Sequence, residues 1–274
     1  MKLLNKFISN IRRKKQIENY ESGIHSRRTY LLSRETPFAV TEAFRNLKAT
    51  ISVSIPKQED GKGISLLTTS TFPEEGKTTV TVNLALMFAM SKAKVVLIDA
   101  DIRKGRVCKY FNQKPDPGLS DYLSGQAEYE EILHQTERNK NLYVIYSGTP
   151  SPRSYELLES DATKALVKRL REEFDYIIFD TPPVRLVSDA LAVLPVTDGT
   201  ILLTRYMQSY EHEIKVSLDI LRFAKGNVLG IVVNDYHIDS KRTKKRHSQY
   251  YSYYDNRNVD QPNGKAFQSP DISK

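Results

Sequence analysis

Residues 64–79, ISLLTTSTFPEEGKTT, decide the fold class of this 274-residue chain. The apolar residues 64–69 predict a buried strand, and the stretch from Lys77 to Met90 predicts a helix. The loop between them ends in Gly76-Lys77-Thr78, and a strand, a glycine-containing loop and a helix in that order are typical of a phosphate-binding P-loop. Thr71 stands where the pattern G-x-x-x-x-G-K-[ST] has its first glycine, so the match is imperfect. We therefore expect an α/β protein that binds ATP or GTP.

Strands and helices alternate along the rest of the chain. Further short apolar strands are predicted at residues 94–99, 142–146, 176–180, 200–204 and 228–234. Helical periodicity covers residues 42–55, 155–173 and 211–224. Apolar strands that alternate with amphipathic helices form crossover units, which build a parallel sheet covered on both faces. The predicted fold is a doubly wound, mostly parallel α/β sheet.

The loop residues have defined tasks in such a site. Gly76 lets the backbone approach the phosphates, Lys77 reaches the β- and γ-phosphate oxygens, and the hydroxyl of Thr78 is a ligand for Mg²⁺. The N–H groups at the start of the following helix favour anions. The predicted nucleotide-binding residues of this stretch are Thr71, Pro73, Glu75, Gly76, Lys77, Thr78 and Thr79.

Three carboxylates are predicted at one edge of the sheet. One strand runs into Asp99-Ala-Asp101-Ile-Arg103, and a later strand ends in Asp180. In an open parallel sheet, ligands bind outside the carboxyl ends of the strands. Asp99 and Asp101 could hold Mg²⁺, with one of them free to accept a proton from a hydroxyl nucleophile. Asp180 suits the Walker-B role on Mg²⁺ or its waters.

Basic residues are concentrated at the two ends of the chain, whose formal net charge is +8. Residues 1–34 hold nine Lys or Arg and two Glu, and residues 237–274 hold eight Lys or Arg and four Asp, so the central part is slightly acidic. A basic face for nucleic acid is therefore not supported. Apolar residues within 3–11 share one helical face, which fits either a segment on anionic lipid or a solvated tail. The single cysteine excludes an internal disulfide framework, and no apolar run reaches 18 residues, so a cytoplasmic location is expected.

Four motifs together resemble one known family. They are the atypical P-loop, the strand followed by Asp-x-Asp-x-Arg, the strand followed by Asp180-Thr-Pro-Pro183, and a terminal cluster of tyrosines. This combination resembles the bacterial tyrosine kinases that regulate capsular and exopolysaccharide synthesis, over most of the chain from Glu42 onward. The resemblance implies a P-loop NTPase of the deviant-Walker type, related to the plasmid-partition and division-site ATPases. It also implies three parts: a basic segment at 1–37, a kinase domain at 38–236 and a basic, tyrosine-rich flexible tail at 237–274.

The resemblance implies ATP- and Mg²⁺-dependent autophosphorylation of the tail in trans. Asp101 is expected to be the base or the orienter of the tyrosine hydroxyl, whose ordinary pKa is near 10. Asp99 and Asp180 are expected to bind Mg²⁺ and its waters, although Asp99 and Asp101 could exchange roles. Lys77 and Arg103 are candidates for stabilising charge on the transferring phosphoryl group. The expected phosphate acceptors are Tyr250, Tyr251, Tyr253 and Tyr254.

Three further expectations rest on the resemblance alone. Asn234, at the end of the last strand, is expected to contact adenine. The family joins its subunits into a ring through a Glu-x-x-Arg-x-x-Arg helix, which Glu42, Arg45 and Lys48 match with a lysine in the last place. A lysine keeps the charge but loses the bidentate fork of arginine. The family usually reads Pro-Gly-Glu-Gly-Lys in its loop, and here Glu74 replaces the first glycine, which is expected to weaken nucleotide affinity through lost backbone freedom and added negative charge.

The expected partners follow from the split form of the family, in which a separate membrane protein supplies the activator. They are a transmembrane activator of the polysaccharide co-polymerase type, further copies of the chain, a cognate tyrosine phosphatase and sugar-pathway protein substrates, met at the inner face of the membrane. Two alternatives stay open. One is a partition- or division-site-type ATPase, although Phe72 stands where that class has its signature lysine. The other is a nucleotide-binding regulator without kinase activity, which Glu74 favours.

Overall fold

A computed structural model describes residues 31–33, 36–55 and 62–236 of the chain. Its strands are β1 (Ile64–Ser70), β2 (Val95–Asp99), β3 (His134–Gln135), β4 (Leu142–Ile145), β5 (Tyr176–Asp180), β6 (Gly199–Arg205) and β7 (Val228–Asn234). Its α-helices are α1 (Phe38–Ser54), α2 (Lys77–Met90), α3 (Val107–Tyr110), α4 (Leu119–Leu123), α5 (Tyr129–Ile132), α6 (Ser154–Glu159), α7 (Asp161–Glu173), α8 (Asp189–Val193) and α9 (Glu211–Phe223). A 3₁₀ helix covers Leu194–Val196.

The seven strands form one sheet in the order β3-β4-β2-β5-β1-β6-β7. Every neighbouring pair is parallel except β3 with β4, so the predicted mostly parallel sheet is confirmed. β5 is inserted between β1 and β2, which brings the carboxyl ends of these three strands side by side. The chain crosses from β1 to one side of the sheet and later returns to the other, and such a switch point is where open α/β sheets bind ligands.

Two hydrophobic cores lie on opposite faces of the sheet. Successive residues of a strand alternate between faces, so Leu66 belongs to one core and Leu67 to the other. The same alternation places Ile178 with Leu66 and Phe179 with Leu67. All seven residues of β1 are buried. A strand with helices on both faces needs a continuous apolar run, which is the pattern that the sequence predicts.

Some elements differ from the sequence prediction. The helix predicted over 155–173 is two helices, α6 and α7, because Ser160 adopts an extended conformation and caps α7 by accepting the N–H of Thr163. A Ser at an N-cap satisfies one of the free N–H groups of the new helix. The strand β3 and the four- and five-residue helices are too short to produce a detectable period in the sequence.

Most of the predicted segment 1–37 and all of the predicted tail 237–274 lie outside the described residues, so both domain boundaries remain predictions. The tyrosines Tyr250, Tyr251, Tyr253 and Tyr254 and the apolar face within 3–11 also lie there. Among the described helices, none is both long and apolar enough to cross a bilayer.

Candidate active site

The loop between β1 and α2 wraps tightly because two of its residues adopt left-handed backbone conformations. Glu74 has φ +64° and Gly76 has φ +85°. A Cβ atom on Gly76 would lie 2.1 Å from the side-chain nitrogen of Asn234. Glycine at position 76 therefore suits both the left-handed backbone conformation and the close approach of Asn234.

The backbone of this loop presents a row of free donors. The N–H groups of six consecutive residues donate to no acceptor within residues 31–33, 36–55 and 62–236. Such groups at a helix start are a ready-made anion site, and buried ones seldom stay unpaired in proteins. The six residues are Glu74, Glu75, Gly76, Lys77, Thr78 and Thr79.

Asp180 gathers the side chains of the first turn of α2. Lys77 Nζ donates to Asp180 Oδ1 at 2.7 Å, and Thr78 Oγ1 donates to Asp180 Oδ2 at 2.7 Å. Thr81 adds a third hydrogen bond to Oδ1 at 3.1 Å. Lys77 and Asp180 are both buried, so their charges attract each other with little screening by water. The structure thus joins the P-loop to the predicted Walker-B carboxylate.

Asp99 lies directly beside Asp180, because the two are register partners on β2 and β5. The N–H of Val107 donates to Asp99 Oδ2 at 3.0 Å, and the N–H of Asp101 donates to Oδ1 at 3.3 Å. Burial raises the pKa of Asp99 to about 8, with the charge of Asp180 as the next cause, while Lys77 lowers this pKa. A second cation at this point would lower it further.

Asp101 and Arg103 follow β2 on a tight turn. Lys104 donates its N–H to Asp101 Oδ1 at 3.0 Å. The pKa of Asp101 is raised, mainly by burial, although the positive charge of Lys77 lowers it in part. A carboxylate with a raised pKa is a better proton acceptor than an ordinary aspartate, which suits the predicted role. Arg103 Nε donates to Asp189 Oδ2 at 3.1 Å.

Asp189 is a site residue that the sequence analysis missed. It is fully buried at the start of α8, and Ser154 also donates to its Oδ2, at 2.7 Å. Its Oδ1 has no hydrogen-bond partner within the part of the chain that the structure describes. An aspartate in the first turn of a helix is explained by its favourable interaction with the helix dipole, so the sequence around Asp189 carried no signal of a role near Arg103.

Several predicted nucleotide-binding residues have side chains that brace the loop. The carboxylate of Glu75 is buried and accepts hydrogen bonds from the N–H of Phe72 at 2.8 Å and from the hydroxyls of Thr204 and Ser209. Thr71 Oγ1 accepts from Ser217 on α9 at 3.3 Å. Thr71 donates its N–H to the carbonyl of Leu203 at 3.3 Å and Pro73 has no N–H, so of these three residues only Glu75 offers a backbone donor to a nucleotide. The predicted roles of Thr71 and Pro73 toward a nucleotide remain predictions.

The remaining predicted residues lie at the rim of the site or on α1. Thr79 Oγ1 is 2.7 Å from the hydroxyl of Tyr110. Asn234 Nδ2 donates to the carbonyl of Glu75 at 2.9 Å, so it touches the P-loop, and its predicted contact with adenine remains a prediction. Glu42 and Arg45 form an ion pair along α1, with Lys48 one turn further on.

The residues present fit nucleotide phosphates and a magnesium ion. The free N–H groups and Lys77 supply the donors and the positive charge that phosphate oxygens require. Mg²⁺ in phosphoryl-transfer sites keeps several waters and takes one or two carboxylates together with substrate phosphates. Thr78, Asp180 and Asp99 offer this kind of donor set. Within the described residues, no group of three or more His, Cys, Asp or Glu side chains forms a separate metal site.

Comparison with known proteins agrees with this site. A family model described as an AAA domain matches residues 75–211. Tyrosine-protein kinase YwqD of Bacillus subtilis is 32% identical over 235 residues, which make up 85% of this chain and 95% of YwqD. This chain belongs to the bacterial tyrosine-protein kinase family. A second relative is tyrosine-protein kinase CpsD of Streptococcus pneumoniae, which is 36% identical over 167 residues. The match covers 61% of this chain and 73% of CpsD.

Solved structures show the same fold. The kinase domain of Escherichia coli tyrosine kinase ETK matches with a TM-score of 0.70 at 28% identity, covering 80% of this chain and 87% of that one. The septum site-determining protein MinD of Pyrococcus horikoshii, complexed with Mg-ADP, has a TM-score of 0.55 at 24% identity, covering 66% and 73%. This second likeness extends to the fold alone. Other curated tyrosine-protein kinases are much longer, and the chain spans 26 to 28% of the length of three that it matches.

Proposed function

We propose that the chain is an ATP-dependent protein-tyrosine kinase that phosphorylates the tyrosine-rich tail of a neighbouring copy. The observation that carries this proposal is the row of free N–H groups beside Lys77, with Asp180, Asp99 and Asp101 around them. A phosphate cradle next to buried carboxylates suits transfer of a phosphoryl group to a hydroxyl. The tail supplies four such hydroxyls in five residues, on Tyr250, Tyr251, Tyr253 and Tyr254.

In the proposed reaction the tyrosine oxygen forms a bond to the γ-phosphorus of ATP, and the bond between that phosphorus and the leaving oxygen of ADP breaks. Asp101 accepts the proton of the tyrosine hydroxyl. Lys77 and Arg103 stabilise the negative charge on the transferring group, and Asp189 holds Arg103 in position. Thr78, Asp99 and Asp180 would hold Mg²⁺, which when bound neutralises charge on the phosphates.

Intact-mass spectrometry of the full chain, before and after incubation with Mg²⁺ and ATP, tests this function. We expect added phosphates that map to Tyr250, Tyr251, Tyr253 and Tyr254. We expect none in a Lys77→Met variant or in a variant with all four tyrosines changed to phenylalanine. Steady ADP release without phosphotyrosine would instead favour a partition-type ATPase. ATP binding with neither product would favour a regulator without kinase activity.

Mixing two variants tests transfer between copies. The Lys77→Met chain keeps the acceptors but lacks the loop lysine, and the four-phenylalanine chain keeps the site but lacks the acceptors. We expect phosphate on the Lys77→Met chain in the mixture only. Phosphate on the wild-type chain at a rate independent of its concentration, with none in the mixture, would contradict transfer in trans.

We further propose that copies assemble through α1 and that a membrane partner activates them. Glu42, Arg45 and Lys48 are the proposed contacts, with the kinase at the inner face of the membrane. The motifs of the chain resemble the tyrosine kinases of capsular and exopolysaccharide synthesis, so the proposed partners are a polysaccharide co-polymerase-type activator, a tyrosine phosphatase and sugar-pathway proteins. Sedimentation of Glu42→Ala and Lys48→Arg variants tests the assembly, and we expect a smaller particle for the first and a more stable one for the second.

A further inference from the structure

Three consecutive carbonyl groups of the P-loop are held by side chains from two other strand ends. Gln208 Nε2 donates to the carbonyl of Pro73 at 3.3 Å, and Arg205 NH1 donates to that of Glu74 at 3.0 Å. Asn234 Nδ2 donates to the carbonyl of Glu75 at 2.9 Å. Arg205 ends β6, Gln208 follows it, and Asn234 ends β7. We call these three side chains the strap.

The strap determines where the loop N–H groups point. A trans peptide group is planar, with its C=O and the following N–H directed to opposite sides. Once the carbonyls of residues 73, 74 and 75 face the strap, the N–H groups of Glu74, Glu75 and Gly76 must face away from it. These are three of the six N–H groups that have no acceptor among the described residues.

From this geometry we propose that Arg205, Gln208 and Asn234 are positioning residues that orient the P-loop N–H groups toward the nucleotide phosphates. The proposal rests on the nucleotide binding that the proposed function requires, and it adds residues that touch the loop from behind. Arg205 is itself fixed, because its NH2 group pairs with Asp235 at 2.8 Å. Glu74 has φ +64° and its carbonyl accepts from Arg205, so the strap also holds a residue whose backbone conformation glutamate by itself disfavours.

The strap gives Asn234 a task different from the expected contact with adenine. If Asn234 acts on the loop, its loss weakens the binding of any ligand with a phosphate chain. If it acts on the base, its loss weakens the binding of ATP but not of a ligand without a base. Mg²⁺-tripolyphosphate has the phosphate chain and no base, so it separates the two roles.

The test is calorimetric titration of the full chain with Mg²⁺-ATP and with Mg²⁺-tripolyphosphate. We expect Gln208→Ala, Arg205→Lys and Asn234→Ala each to weaken both ligands by about tenfold, which is the size of one lost hydrogen bond to a loop that must then be ordered by the ligand. Gln208 is exposed, so its replacement leaves the core intact. Gln208→Ala therefore tests the proposal even if another strap variant fails to fold.

Each variant has a control with the same chemistry away from the loop. Asn227 donates to the carbonyl of Asp198 before β7, and Gln126 and Arg138 are exposed. We expect Asn227→Ala, Gln126→Ala and Arg138→Lys to bind both ligands as the wild type does. Strap variants that bind both ligands as tightly as the wild type does would overturn the proposal. If Asn234→Ala weakened the binding of ATP but not of tripolyphosphate, the proposal would be overturned for Asn234. A wild-type chain that binds neither ligand would instead refute the nucleotide site and, with it, the proposed function.

Discussion

Replacing Glu74 by glycine should raise both the free energy of unfolding of the chain and its affinity for ATP. Glu74 has φ +64°, a region where a Cβ atom is disfavoured, and its exposed side chain carries a negative charge on a loop built to bind phosphates. The change therefore removes two separate costs. Glu74→Ala is the matched control, because it removes the charge but keeps the Cβ atom.

The magnitude of each cost can be worked out. A non-glycine residue in the left-handed region costs about 1–2 kcal/mol. Glycine avoids this cost, but the greater freedom of its unfolded chain offsets about 0.5–1 kcal/mol of the gain. We therefore expect Glu74→Gly to exceed Glu74→Ala in free energy of unfolding by about 0.5–1 kcal/mol. The charge contributes about 0.5 kcal/mol per phosphate charge at a separation on the order of 8 Å in a water-like medium. Two such charges correspond to about fivefold in affinity.

Two measurements separate these costs. Denaturant unfolding without nucleotide measures the backbone cost, and titration with Mg²⁺-ATP at low and high salt measures the charge cost. We expect both variants to bind ATP more tightly than the wild type at low salt, with the gain shrinking as salt screens the charge. Equal unfolding free energies for the Gly and Ala variants would refute the backbone reasoning. A gain in affinity that salt leaves unchanged would refute the electrostatic reasoning.

Three other substitutions test the carboxylate pair, the cap of α7 and an ion pair at the amino ends of the strands. Asp99→Asn should flatten the pH dependence of unfolding, because burial raises the pKa of Asp99 to about 8 in the folded chain, whereas an unfolded aspartate titrates at about pH 4. Between these two pH values the folded wild type binds one proton more than the unfolded chain, so its free energy of unfolding falls with rising pH by at most about 1.4 kcal/mol per pH unit. Denaturation at pH 5, 6.5 and 8 without metal or nucleotide measures this. Ser160→Ala removes the cap of α7 and should cost about 1 kcal/mol of unfolding free energy, whereas Ser160→Asp should retain most of it. Arg171→Lys loses the two-pronged pairing with Asp198 at 2.8 and 3.0 Å and should cost about 2 kcal/mol, lowering the melting temperature by several degrees.

The controls for Asp99→Asn and Arg171→Lys are residues of the same type on the surface. Asp219 is exposed on α9, so Asp219→Asn should leave the pH profile of unfolding parallel to that of the wild type. If the profile of Asp99→Asn were also parallel, Asp99 would not hold the extra proton. Arg222 is exposed as well, and an Arg222→Lys effect as large as that of Arg171→Lys would contradict the explanation by the pairing of Arg171 with Asp198.

Local sequence determined the elements and the chemistry that each strand end carries. The apolar runs of β1, β2 and β5 are long enough and buried enough to predict strands, and Gly76-Lys77-Thr78 predicts the start of α2 at the residue where the structure has it. The polar residues at the carboxyl ends of these strands can be located in the sequence because each stands at the end of an apolar run. Because parallel strands end at one edge, Asp99 and Asp180 could be predicted to meet before their register was known.

Only the tertiary structure decided which distant side chains complete the site. Asp189 reaches Arg103 across 86 residues and Arg205 reaches Glu74 across 131, and no local period records such a contact. Glu75 could be placed in the loop by its sequence, but the hydroxyls that bind its buried carboxylate come from β6 and the segment after it. Hydrophobic periodicity reports which side of an element faces the core, whereas hydrogen bonds between separate elements depend on the strand order. That order, with β5 between β1 and β2, exists only once the chain has folded.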